Sequence, residues 1–213
     1  MSEYPTHELI NIGPHRLRHG DLRGGISDLM EGQLADFIYG DPPWGEANLR
    51  YWQTLNKRMT GADKLGIEYE SFQHLYFKTI SEVARDHCII EYGERWREDI
   101  IQFSKDYGFK HMDVATSYYS SDNLPVDIHL ISKSGQWEGG LPFKAACHNF
   151  KGYGLVSKLF DMYLPEGAEI VLDPTCGMGY SARAAAERGA KFRGNELNRK
   201  RLGKTIDKLE RLT

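Results

Sequence analysis

The chain has 213 residues, 40% of them hydrophobic and 27% charged, a balance that excludes the fibrous, disordered and membrane-spanning classes. One globule of this length buries roughly 70% of the surface its unfolded chain exposes, so a single core holds without disulfide or metal staples. The formal charge of -3 argues against a surface coated throughout for nucleic acid. Three widely spaced cysteines, Cys88, Cys147 and Cys176, exclude a closed disulfide framework and a CxxC metal pair, which points to a reducing compartment. No run approaches the ~20 apolar residues of a membrane span, and Met1 to Gly20 holds no apolar signal core, so the expected location is the cytoplasm. Charge is uneven: residues 188–213 carry nine Lys/Arg against three acids, which reads either as a segment that meets phosphate or as a solvated helix face.

Taken in order, strand and helix patterns alternate from end to end, which predicts an α/β domain with a largely parallel sheet. Strands are expected at His15 to Leu22 and Ala35 to Tyr39, around a short helix at Gly25 to Met30. Tyr69, Phe72, Tyr76, Ile80 and Val83 stand three and four apart and predict a helix over Tyr69 to Asp86, followed by a strand at His87 to Tyr92. Trp96, Ile100, Phe103 and Tyr107 repeat the helical spacing, with Gly108 placed to stop it. Strands follow at Lys110 to Tyr118 and Val126 to Ser132, then a helix at Gly154 to Tyr163 that ends near Pro165. A strand at Glu169 to Leu172, a glycine turn at Asp173 to Gly179, an alanine-rich helix closing at Gly189, a strand at Lys191 to Gly194 and a helix carrying Leu202, Ile206 and Leu209 complete the chain. This last third is the β-loop-α-β-α unit of sheets that bind nucleotide cofactors. Asn48 to Ile67 and Ser134 to Lys151 lack a strong period and read as loops over an open edge of the sheet.

Two motifs carry chemistry. In EIVLDPTCGMGYSARAAAERGAKFRGNEL, a buried strand ends at Asp173 and the backbone turns through Gly177 and Gly179; Glu196, 19 residues beyond Gly177, stands at the tip of the next strand. Glycines permit the close approach a bound nucleoside needs, and an acid at that distance accepts both ribose hydroxyls. The second motif, Asp41-Pro42-Pro43-Trp44, follows an apolar strand. Its two prolines cannot continue a sheet, so the chain leaves the strand rigid and extended and presents the flanking side chains at the carboxyl edge. The histidines show no HExxH spacing, and no GxSxG elbow or Walker loop is present. No metal is expected.

DPPW together with DPTCGMG and GNELNRKRL resembles the S-adenosylmethionine-dependent methyltransferases that modify exocyclic amines of nucleobases, in the permuted beta-class order. HGDL at His19 to Leu22 matches that family's strand ending in Gly-Asp, and HNFKG at His148 to Gly152 stands near its His-x-x-x-Lys-Pro, shortened by one residue and with glycine for proline. The resemblance implies a single Rossmann-like domain, residues 1–150 holding the catalytic half and 151–213 the cofactor half. It implies Asp41, Pro42, Pro43 and Trp44 as catalytic residues. Around S-adenosylmethionine it implies Asp21, Lys151, Asp173, Pro174, Thr175, Cys176, Gly177, Gly179, Glu196 and Leu197, with Asp173 and the glycines at the amino-acid portion, Glu196 on the ribose and Asp21 near the adenine. The implied reaction is methylation of adenine N6 in DNA; cytosine N4, adenine N6 in RNA and a non-catalytic nucleic-acid-binding subunit are the alternatives. Little of the chain is left over for target recognition, so specificity is expected to be short or supplied by a partner, a second copy included.

Overall fold

The computed structural model describes residues 8–60, 66–118 and 124–213. Strands β1 (Glu8–Ile12) and β2 (His15–His19) form an antiparallel hairpin turned at Gly13 and Pro14. The sequence reading has no strand before His15 and carries the second strand on to Leu22. In the structure β2 stops at His19 because Asp21 caps a 3-10 turn at Leu22–Gly24, its carboxylate accepting the Arg23 amide at 2.9 Å. Helix α1 (Ser27–Met30) leads to β3 (Ala35–Gly40), α2 (Gly45–Thr60) and α3 (Tyr69–Val83). The expected end of α3 at Asp86 is three residues too late: Ala84 is already extended and opens β4 (Ala84–Gly93) without an intervening loop. Helix α4 (Arg97–Asp106) and the antiparallel strands β5 (Lys110–Tyr118) and β6 (Pro125–Ser132) follow at their expected places.

Both expected loops are helical in part, and residues 61–65 of the first lie outside the described residues. Residues 45–60 form α2, and Ser134 to Lys151 contains α5 (Gly140–Asn149). In α5, Phe143, Ala146 and Cys147 are buried at helical spacing, and Pro142 sits in the first turn where no amide partner is lost. In α2 the inward face carries Asn48, Leu49, Trp52 and Gln53, too polar to register as a core stripe. After α6 (Gly152–Tyr163) come β7 (Ile170–Asp173), α7 (Tyr180–Ala186), β8 (Lys191–Glu196) and α8 (Arg199–Glu210).

The eight strands form one sheet in the order β1-β2-β8-β7-β3-β4-β6-β5. The inner five, β2, β8, β7, β3 and β4, are parallel, and antiparallel pairing is confined to the two margins. Alternation along the strands splits two apolar layers. Phe37, Tyr39, Ile89 and Val171 face a cluster with Phe143, Leu159, Phe160, Ala185 and Leu202 from α5 to α8. Ile38, Cys88, Ile90 and Leu172 face the other, with Leu29, Phe72, Tyr76, Phe77 and Ile100 from α1, α3 and α4. Strands buried on both faces explain the continuous apolar runs. The last two strands are inserted between β2 and β3, so the segments 1–150 and 151–213 interleave in the sheet. Helices leave β3 and β7 on opposite faces, which places a crevice at their carboxyl ends, the usual ligand position in such sheets. Among the described residues no helix is long and apolar enough to cross a membrane.

Candidate active site

Four adjacent parallel strands, β2, β8, β7 and β3, deliver their carboxyl ends to one cavity of about 430 Å³. From β3 comes the turn Asp41 to Trp44, all four residues lining the cavity. The Trp44 Nε1 donates to Asp41 Oδ1 at 3.0 Å, which fixes the carboxylate against the indole. The Pro43 carbonyl accepts from the Tyr92 hydroxyl at 2.9 Å, and Tyr92 is in turn bonded to Tyr69 and Gln73. Beneath this turn Tyr39 donates to Glu91 at 2.7 Å. Burial, then the neighbouring charge of Glu91, raises the Asp41 carboxyl well above its ordinary range, while Arg201 and the Trp44 bond pull the other way.

From β7 comes Asp173, 3% exposed and behind the cavity wall. Its two oxygens accept from the Thr175 amide and the Ser181 hydroxyl. Burial outweighs those bonds and, with the charges of Asp41 and Glu196, pushes the carboxyl up to about 7. The turn that follows needs glycine twice. Gly177 has φ 51 and Gly179 φ 77, and a Cβ at 179 would stand 2.9 Å from the backbone of Thr205. Burial keeps the Cys176 thiol protonated, which leaves it a packing residue rather than a nucleophile.

From β8 comes Glu196, whose oxygens accept the amides of Gly177 at 2.9 Å and Asn198 at 2.7 Å. Burial raises its carboxyl, and Arg201 opposes the rise. From β2 come Gly20 and Asp21, the latter held by the Arg23 guanidinium through Nε at 3.1 Å and Nη2 at 2.7 Å. The opposite wall is mixed, with Asn48, Leu49, Trp52 and Gln53 of α2, and Phe72 and Leu75 of α3.

Of the residues singled out from sequence, Asp21, the Asp41 to Trp44 turn, Pro174, Thr175, Glu196 and Leu197 line the cavity. Asp173, Cys176, Gly177 and Gly179 lie outside the lining and form the turn behind it, where Cys176 donates its amide to the Asn195 carbonyl and Gly179 to the Cys176 carbonyl. Lys151 is outside the lining: it caps α6 and lays its ammonium 5.6 Å from the Tyr118 ring. Sequence reasoning passed over Glu91 and Trp52 as residues of this site, read Phe72 only as part of a helical stripe, and read Arg201 only within the basic terminal segment. Glu91 had a signal, a charge inside the apolar strand CIIEYG. Within the basic end, Arg188 pairs with Asp161, Lys191 with Glu169, Arg199 with Glu8 and Lys204 with Asp207.

Neither a protein-family model nor a curated protein matches the chain. Solved structures do. The chain is similar to M1.HpyAVI in complex with S-adenosylmethionine (16% identity, 91% of this chain and 98% of that one, TM-score 0.65). It is similar to TTHA0409 of Thermus thermophilus complexed with S-adenosyl-L-methionine (16% identity, 93% and 94%, TM-score 0.58). It is also similar to the PvuII DNA methyltransferase, cytosine-N4-specific (12% identity, 87% of each chain, TM-score 0.55). The architecture is therefore the Rossmann-like α/β fold of DNA methyltransferases.

Proposed function

We propose that the protein is an S-adenosylmethionine-dependent methyltransferase acting on the exocyclic N6 amine of adenine in DNA. One observation carries the reading: the Asp41 to Trp44 turn and the Glu196 carboxylate, far apart in sequence, open into the same cavity from neighbouring strand ends. The cavity fits the cofactor chemically. Glu196 accepts the backbone amides of Gly177, Leu197 and Asn198, and a carboxylate with about four acceptor sites keeps capacity for a hydroxyl donor. Asp21 and Leu22 stand beside it, and the volume of about 430 Å³ falls in the ordinary range of ligand pockets. The neighbouring structures solved with S-adenosylmethionine support the same choice. When bound, S-adenosylmethionine supplies an electrophilic methyl group.

The chain's own residues do the rest. An exocyclic amine is a poor nucleophile because its lone pair is delocalised into the ring. Asp41 and the Pro42 carbonyl, each accepting one N–H bond, draw the nitrogen towards tetrahedral geometry and free that lone pair. Asp41 takes the amine proton as charge develops, a role suited to a carboxyl whose proton affinity is raised by burial and Glu91. Trp44 offers a face for the base, a stack worth ~1–3 kcal/mol. A base inside a duplex is brought to this pocket by flipping, at a cost of a few kcal/mol, or is met on a single strand.

The test is to express wild type and Asp41→Ala in cells, digest DNA and RNA, and quantify methylated nucleosides by mass spectrometry. N6-methyladenine in DNA from the wild type alone supports the reading. N4-methylcytosine would move the assignment to cytosine, the base named for the PvuII enzyme, and methylated RNA would change the substrate. Equal methylation by the variant would remove Asp41 from the chemistry.

A further inference from the structure

Two arginines line the cavity, Arg23 and Arg201. Arg23 already grips both oxygens of Asp21. Arg201 leaves the first turn of α8 and lays its guanidinium 4.2 Å from the centre of a Trp52 ring, with its Nε buried and without a hydrogen-bond partner. The stack explains where the guanidinium plane lies, and leaves the donors on its edge to be accounted for. Gly177 gives that edge room: a Cβ there would stand 2.4 Å from Nη2. The guanidinium is thus held between an indole face and bare backbone of the glycine turn.

The acids of the cavity feel the charge of Arg201 but do not take up its Nε donor. Asp21 is held by Arg23, Asp41 accepts from Trp44 at 3.0 Å, and Glu196 accepts the amides of Gly177 and Asn198 at 2.9 and 2.7 Å. Each carboxylate has donors of its own, and the buried Nε of Arg201 is bonded to none of them. A rigid fork of N–H donors is complementary to a planar carboxylate, the one anionic group in S-adenosylmethionine. We infer that Arg201 anchors the carboxylate of the cofactor's amino-acid portion, with Trp52 holding the guanidinium plane and Gly177 leaving it room, an inference that rests on the S-adenosylmethionine reading above. Arg201 is then a specificity residue for that end of the cofactor, and acts on the base chemistry only through its charge near Asp41.

Calorimetry on wild type, Arg201→Met and Arg201→Lys separates the possibilities. The probes are S-adenosylmethionine, S-adenosylhomocysteine and 5′-methylthioadenosine, the last of which lacks the amino-acid portion. Arg201→Met is expected to weaken the first two by about tenfold or more and to leave methylthioadenosine within about twofold. Arg201→Lys, which keeps the charge and loses the fork, is expected to fall between. An equal loss on all three ligands would overturn the assignment in favour of a structural role. Tighter binding by Arg201→Met would overturn it by showing that the guanidinium obstructs the cavity. A wild type that binds none of the three would overturn the cofactor reading itself, and the inference with it, a result distinct from either. Melting temperatures of the variants, measured alongside, confirm that the folded proteins are being compared.

Discussion

Asp173→Asn probes the electrostatics beneath the cavity. The carboxyl is 3% exposed at the tip of β7, and burial pushes it up to about 7 from an ordinary value of 3.8. Between those values the folded chain keeps a proton that the unfolded chain has released. The folded state is therefore favoured at low pH, and stability declines as pH rises through this window, levelling above about 7. At about 1.4 kcal/mol for each pH unit, the full decline attributable to this one group is roughly 4 kcal/mol. Asparagine stays neutral and can keep both local bonds, its carbonyl accepting the Thr175 amide and its NH2 donating to the Ser181 hydroxyl. Urea unfolding of both proteins from about pH 5 to about pH 8 gives the difference directly; acids remote from the site cancel, while Asp41 and Glu196, whose charges act on Asp173, contribute to that difference. The variant should gain on the wild type as pH rises, by a few kcal/mol at the alkaline end. A pH-independent difference, or a wild type that is the more stable at alkaline pH, would refute the assignment of a neutral buried carboxyl at 173.

On the proposed function Asp41 accepts from the amine only when ionised, so turnover should fall with decreasing pH through a value above the ordinary aspartate range. Glu91→Gln removes the like charge that helps to raise it, and single-turnover rates against pH should show the acid limb moved to lower pH; an unmoved limb would detach Glu91 from the site. Trp44→Phe keeps a stacking face and loses the Nε1 bond that stabilises the Asp41 anion, so the same limb should move to higher pH while cofactor affinity stays constant. A loss of melting temperature in step with activity would instead assign Trp44 to the turn alone.

The elements with a strong apolar period, β3, α3, α4 and β7, were legible because their packing faces are aliphatic or aromatic throughout. Helix α2 was not, because the face it turns inward meets a cavity rather than a core, and a cavity wall accepts Asn48 and Gln53 where a core does not. The carboxylates of the site were legible from local motifs, Asp41 from its prolines and Glu196 from its distance to Gly177. Arg201 was not, since one arginine among nine basic residues in 188–213 has no local mark. Its difference from Arg199, which pairs with Glu8 on the surface, is made only by the long-range approach of α2 to α8.

Strands β7 and β8 enter the sheet as a wedge between β2 and β3, and this has a consequence for how the cavity is completed during synthesis. Until that pair is in place, β2 and β3 each present an unpaired edge at what becomes the middle of the sheet, the surface most prone to pair wrongly with another chain. Chain emerging from a ribosome, or truncated before residue 170, has the Asp41 turn but neither the Glu196 wall nor the glycine turn against which the cavity closes. On the proposed function, binding of S-adenosylmethionine would therefore report on the arrival of the last strands. A ligand that grips both Glu196 and the Asp41 turn fastens the wedge into the sheet, so saturation with it should slow the opening of the β3–β7 seam and protect that seam from proteolysis and exchange.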